Sequence, residues 1–105
     1  IDHNHVTWLT KVITLQSHFK YNNQKYLFID SFPIINGESM KKIEYLAELV
    51  DPTYYIGFNP QCNVDTMSEW MGDCPKGPGG HPLELGHQRI AERINEHIRN
   101  LGWIS

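Results

Sequence analysis

Two histidines stand at i and i+6 in the stretch Gly79-Gly80-His81-Pro82-Leu83-Glu84-Leu85-Gly86-His87. His81 follows two glycines and precedes a proline, which puts it in the turn before a helix. His87 falls on the helix itself. A turn held by a rigid scaffold is a frequent place for functional side chains. An imidazole there suits general acid–base work, taking or returning a proton. To activate a serine hydroxyl it needs the serine and a carboxylate that fixes the tautomer of the ring. Asp73 lies upstream in the same loop and Asp65 further back, and either can supply that carboxylate. Glu84 is nearer in sequence, but it falls in the first helical turn, where a carboxylate faces the free amides.

Plainer roles compete with each of these. His81 can simply hydrogen-bond backbone and stiffen its turn, and His87 reads as a helix-face residue packed under the loop. His3, His5 and His18 lie on or before the first helix with no partner that the sequence names. A zinc site from His81, His87 and Cys74 is disfavoured. The i, i+6 spacing does not stack two ligands on one helix face, and no carboxylate is obviously placed to join them. Met67, Trp70 and Met71 read as satellite core more readily than as a substrate platform.

The elements that must position this loop follow from periodicity. Residues 2–22 read as a helix, with Val6, Leu9, Val12, Ile13, Gln16 and Phe19 at helical spacing, stopped by Asn22-Asn23-Gln24. Lys25 to Asp30 is a short apolar run that reads as a buried strand of a parallel sheet, and Pro33 follows it. Residues 38–50 read as a second helix with Met40, Ile43, Leu46, Ala47 and Val50 on one face, ended by Asp51-Pro52. Thr53 to Phe58 is either a short strand or an aromatic loop. The span 59–80 has neither period, apart from one helical turn expected around Thr66 to Trp70. A structureless span of that length is often functional. Leu83 to Leu101 reads as the last helix, ended by Gly102, with Trp103-Ile104 folding back on the core.

Composition bounds the function. The 105 residues suffice for one small domain, and 40% hydrophobic with 20% charged residues is an ordinary globular balance. A formal charge of −3 with scattered Lys and Arg excludes a nucleic-acid stripe. No apolar run is long enough for a membrane span, and no signal peptide is visible. A soluble protein, cytoplasmic or virion-associated rather than secreted, is therefore expected. Cys62 and Cys74 flank a polar loop and are expected to be free thiols. The chain starts at Ile1 without an initiator Met, and one confident strand cannot make a sheet. It therefore reads as a fragment, whose sheet is completed by upstream sequence or by another chain.

The block from His81 to Ala91 (His-Pro-Leu-Glu-Leu-Gly-His-Gln-Arg-Ile-Ala) resembles the last conserved block of the SGNH, or GDSL-type, hydrolases. The order of helix, then a strand ending Phe28-Ile29-Asp30, then the histidine loop agrees with that family. Phage-encoded members with an expanded loop ending Gly-His-Pro are closest in style. The resemblance covers most of this chain but only the C-terminal part of a whole domain of the family. It implies a three-layer α/β/α, flavodoxin-like fold and ester or acyl hydrolysis, with an acylated and in some members glycan substrate. It also implies His81 as the base for a serine, with no cofactor or metal. Two features depart from the pattern. The acid position three residues before the histidine is Pro78, which leaves Asp73 as the substitute. The Gly-Asp-Ser nucleophile block and the oxyanion Gly and Asn blocks are not present. Ser31 follows a strand, as a nucleophile does, but it lacks the preceding glycine and is too near His81 in sequence. A strand-end structural role suits it better.

Two functions are therefore expected in order. The first is serine-dependent ester or acyl hydrolysis, with His81 as base, Asp73 as its orienter and the serine supplied upstream. The second is a non-catalytic structural or interaction module in a larger, for example viral, assembly.

Overall fold

A computed structural model describes residues 3–31, 35–59 and 65–104. The first helix, α1, runs His3–Tyr21. Its apolar stripe is the expected one, and Leu9, Val12 and Gln16 are buried. On its solvent face the hydroxyls of Thr10 and Thr14 donate back to the carbonyls of Val6 and Thr10, both at 2.8 Å. The helix ends in a left-handed residue, Asn23 (φ 54°). The amides of Asn23 and Gln24 return to the carbonyls of Lys20 and Phe19 at 3.2 and 2.9 Å. This is a Schellman closure, with asparagine in the place glycine usually takes.

The segment after it is extended through Asp30. Phe28 donates its N–H to Tyr54 O (2.8 Å) and accepts from Ile56 N (3.0 Å), a single parallel bridge centred on Tyr55. Between the bridged segments lie α2 (Gly37–Lys42) and α3 (Glu44–Ala47). Asn36 caps α2 by accepting from Ser39 N at 2.8 Å. The single helix expected over 38–50 is thus two short ones, because Ile43 leaves helical dihedrals (φ −118°, ψ 25°). Met40, Ile43, Ala47 and Val50 are all buried, and they join Leu9, Val12, Ile35, Tyr55 and Phe58 in one core. Gln16 staples α1 to this layer. Its amide donates to Leu49 O (2.9 Å), and its oxygen accepts from Asp51 N (2.7 Å).

The expectation of a three-layer α/β/α fold, and with it the α/β class, is corrected here. Among the described residues 60% are helical and 4% stand in isolated bridges, with no sheet. The reason is local. Pro52–Tyr54 form a tight 3₁₀ turn, and Tyr55 is tied back by its N–H to Pro52 O and by Phe58 N to its own carbonyl. The Tyr55 segment therefore offers its backbone to Phe28 on one side only, and the ladder stops at one bridge. The alternative left open for residues 53–58 resolves as a turn followed by this bridge.

Thr66 precedes α4 (Met67–Met71), whose first amides bond Asp30 O (2.9 Å) and Ser31 O (3.0 Å). The last helix, α5, spans Glu84–Asn100 and packs on α4. There the buried Met71 side chain lies where a Cβ on Gly86 would come within 3.3 Å of its sulfur. Gly102 (φ 78°) closes α5 with a second Schellman turn, its amide on Arg99 O and that of Trp103 on Ile98 O. The turn lays the indole of Trp103 against Tyr54, with ring centroids 6.1 Å apart. No described helix is long and apolar enough to cross a membrane.

Candidate functional site: the histidine loop and the Asp30–Tyr55 pair

The histidine loop is braced at both ends. Lys76 and Pro82 form an antiparallel bridge, and Gly77 N donates to His81 O at 2.8 Å. Pro78–Gly80 make a 3₁₀ turn whose middle residue, Gly79, has φ 71°. The imidazole of His81 lies beside this turn, its Nε2 3.6 Å from where a Cβ on Gly79 would sit. Pro82 packs toward Gly86, whose added Cβ would lie 3.1 Å from the proline Cβ. Cys74 is buried with a free thiol, and the Lys76 ammonium donates to the carbonyls of Gly72 (2.7 Å) and Cys74 (3.2 Å). The sequence therefore builds a stiff presenter, and His81 stands exposed on it.

The carboxylates expected to orient His81 are placed elsewhere. Asp73 is 99% exposed and faces Arg89 Nη1 at 3.9 Å, and no hydrogen bond joins it to the imidazole. The Asp65 amide is bound to Gly57 O at 2.9 Å, and its carboxylate stands by Glu69. Burial, and then Asp65 beside it, push the Glu69 carboxyl up. Ser31 is exposed and accepts from Ser68 N through its carbonyl. His87 is exposed as well, so His81, His87 and buried Cys74 do not converge. Among the described residues no group of three His, Cys, Asp or Glu is gathered to hold a metal. Cys62 lies outside the described residues. A base, an acid and a nucleophile are thus present as residue types but not as a triad. Nothing in this arrangement supports the expected description of the chain as an esterase by itself.

The expected satellite core at Trp70 and Met71 is what the structure contains. Met71 is buried, and Arg93 lies over the Trp70 ring at 5.5 Å. One pair was not singled out from the sequence. The hydroxyl of Tyr55 donates to Asp30 Oδ2 at 2.5 Å, under the α1 layer, with the Trp8 indole beside it. Burial holds the Asp30 carboxyl above its ordinary value, and the tyrosine hydrogen bond offsets part of that. Burial first, and then the carboxylate, push the Tyr55 hydroxyl far up. The sequence signal for the pair was an acid ending an apolar run and a tyrosine inside an aromatic one. Only the Phe28–Tyr55 bridge brings them together.

The open backbone edge is the other feature of this region. Phe28 and Asp30 point their backbone groups to one side and bond Tyr54, Ile56 and Met67 there. Leu27 and Ile29 point the opposite way, as alternation along an extended chain requires. Among the described residues neither makes a backbone hydrogen bond. Comparison with family models, with curated proteins and with solved structures gives no match, so the resemblance to SGNH hydrolases rests on its motif residues alone.

Proposed function

We propose that this chain is a structural interaction module that takes up an extended segment of a neighbouring polypeptide along the Leu27–Ile29 edge. The observation that carries this reading is the one-sided pairing of Lys25–Asp30. Phe28 spends both backbone groups inward, while those of Leu27 and Ile29 are unspent within a half-buried apolar run. Such an edge favours addition of a strand, whose main chain supplies the missing hydrogen bonds. The opposite edge, at Tyr55, is already closed by turns, so the geometry favours one added strand on one side. Hydrogen–deuterium exchange tests this in the isolated chain and in the longest natural polypeptide that carries it. The Leu27 and Ile29 amides are expected to exchange as open groups in the first and to be protected in the second. Equal, rapid exchange in both would sink the proposal.

The braced, exposed His81 favours a second reading, in which it acts as base for a serine supplied by sequence upstream. Hydrolysis of a short-chain p-nitrophenyl ester by the same long polypeptide separates the two. If His81 is the base, His81→Ala lowers turnover by several orders of magnitude with folding intact. A wild-type protein inactive on a range of acyl substrates leaves the interaction module as the reading.

A further inference from the structure

The open edge is symmetric about Phe28. Leu27 and Ile29 stand one residue to either side and turn their unspent N–H and C=O groups outward, while Phe28 spends both of its own on Tyr54 and Ile56. In an antiparallel ladder, two residues that face each other through such groups exchange both hydrogen bonds. A two-fold axis through Phe28 sets Leu27 of one copy against Ile29 of another, and Ile29 against Leu27. All of these open groups are then paired and none is left over. The Leu27 and Ile29 side chains share one face of the segment, so the same register aligns them as apolar cross-strand pairs.

The two ends of the edge differ in charge. Lys25 opens it, beside Lys20 and Asp51, so two ammonium groups stand there to one carboxylate. Lys20 and Asp51 pair with each other at 2.8 Å, which leaves Lys25 without a carboxylate partner among the described residues. Ser31 ends the edge, and its carbonyl accepts from Ser68 N at 3.0 Å, so α4 begins there. Asp65 and Glu69 stand side by side at that start, and Asp65 borders a cavity with Glu92, Glu96, Arg89 and Arg93, which makes four carboxylates to two guanidiniums. The edge is therefore positive where it starts and negative where it ends. Antiparallel pairing of two such edges brings unlike ends together, and parallel pairing brings like ends together.

We infer that the strand taken up is the Lys25–Asp30 segment of a second copy of this chain, laid antiparallel about a two-fold axis through Phe28. The inference rests on the edge-addition reading above and narrows it to one partner and one register. Lys25 of each copy then faces Ser31 of the other and approaches its Asp65–Glu69 pair. A two-fold contact repeats every interaction, so each charge pairing acts twice.

A sample mixed from ¹³C-labelled and unlabelled chains tests the register. Phe28 turns its backbone groups inward, so its Hα points out from the edge, and an isotope-filtered spectrum is expected to show a Phe28 Hα–Phe28 Hα contact between copies. The Leu27 and Ile29 amides, open in the dilute chain, are expected to gain protection as the dimer forms. Sedimentation equilibrium tests the charges. Lys25→Glu and Glu69→Lys are each expected to raise the dimer dissociation constant about tenfold, and the double variant to restore it. Both side chains are exposed, so the variants keep the fold. Three results would overturn the inference: a chain that stays monomeric up to about 1 mM, a dimer without the Phe28 contact, or a dissociation constant unmoved by either single variant. Protection of Leu27 and Ile29 in a longest natural polypeptide that is itself monomeric would also overturn it, while leaving the edge-addition reading in place with a strand from elsewhere.

Discussion

Asp30 shows how much one residue's surroundings change its chemistry. Its carboxyl is raised in the folded chain, by burial first, with the Tyr55 hydroxyl offsetting part of the effect. A carboxyl whose folded pKa exceeds its unfolded one stabilises the fold when protonated. That contribution is complete below the unfolded pKa, about 3.9. It is lost as pH rises through the folded pKa. Asp51 runs the other way, lowered chiefly by its hydrogen bond with Lys20, so its contribution is lost as pH falls through its folded pKa. Asp30→Asn keeps an oxygen for the Tyr55 hydroxyl and removes the ionisation. Urea melts at several pH values are expected to show wild type losing stability relative to this variant over the window that opens above about pH 4. Wild type gaining on the variant over that window would contradict the assignment. None of this was legible in the sequence, where Asp30 was only the end of an apolar run. The titration depends on a tyrosine brought in from 25 positions away.

Helices with a clean period were the most legible elements. The stripe of α1 and the stops of α1 and α5 at Asn23 and Gly102 follow from spacing and from residues that tolerate left-handed backbone. The span read as one helix over 38–50 shows what periodicity misses. Ile43 keeps its side chain on the core face while its backbone breaks the helix, so the apolar pattern survives and the element does not. Gln16 shows a different limit. It sits in the apolar stripe of α1, and its polar amide looks misplaced there. It is buried because it serves two backbone groups after α3, Leu49 O and Asp51 N. Gln16→Leu keeps the apolar period but strands both groups. It is expected to cost roughly 2 kcal/mol, read as a lower urea midpoint with an unchanged slope. A variant as stable as wild type would mean that water reaches both groups and that the staple contributes nothing.

At the scale of the whole molecule, the sequence reading failed on the sheet and left His81 without a located partner for one reason. Strand pairing and triad geometry are both non-local, and a one-chain periodicity argument cannot count partners. Lys25–Asp30 has the composition of a buried parallel strand, and in the structure it is extended but half-buried, with one bridge. His81 has the neighbours in sequence that a base needs, yet Asp73 points to Arg89 instead. The apolar strand composition is therefore stranded at a surface, next to unpaired main-chain groups. Without another occupant, a second copy of the chain is the nearest donor of a strand. The isolated chain is expected to self-associate as concentration rises, seen by light scattering coupled to size exclusion. Ile29→Lys places a charge on the edge, the device by which edge strands resist pairing, and is expected to return the chain to a monomer with its helical content intact. Association that persists in this variant would place the contact elsewhere, on exposed apolar residues such as Tyr45 of α3 and Leu49 just after it. The open edge would then have to be protected by its twist alone.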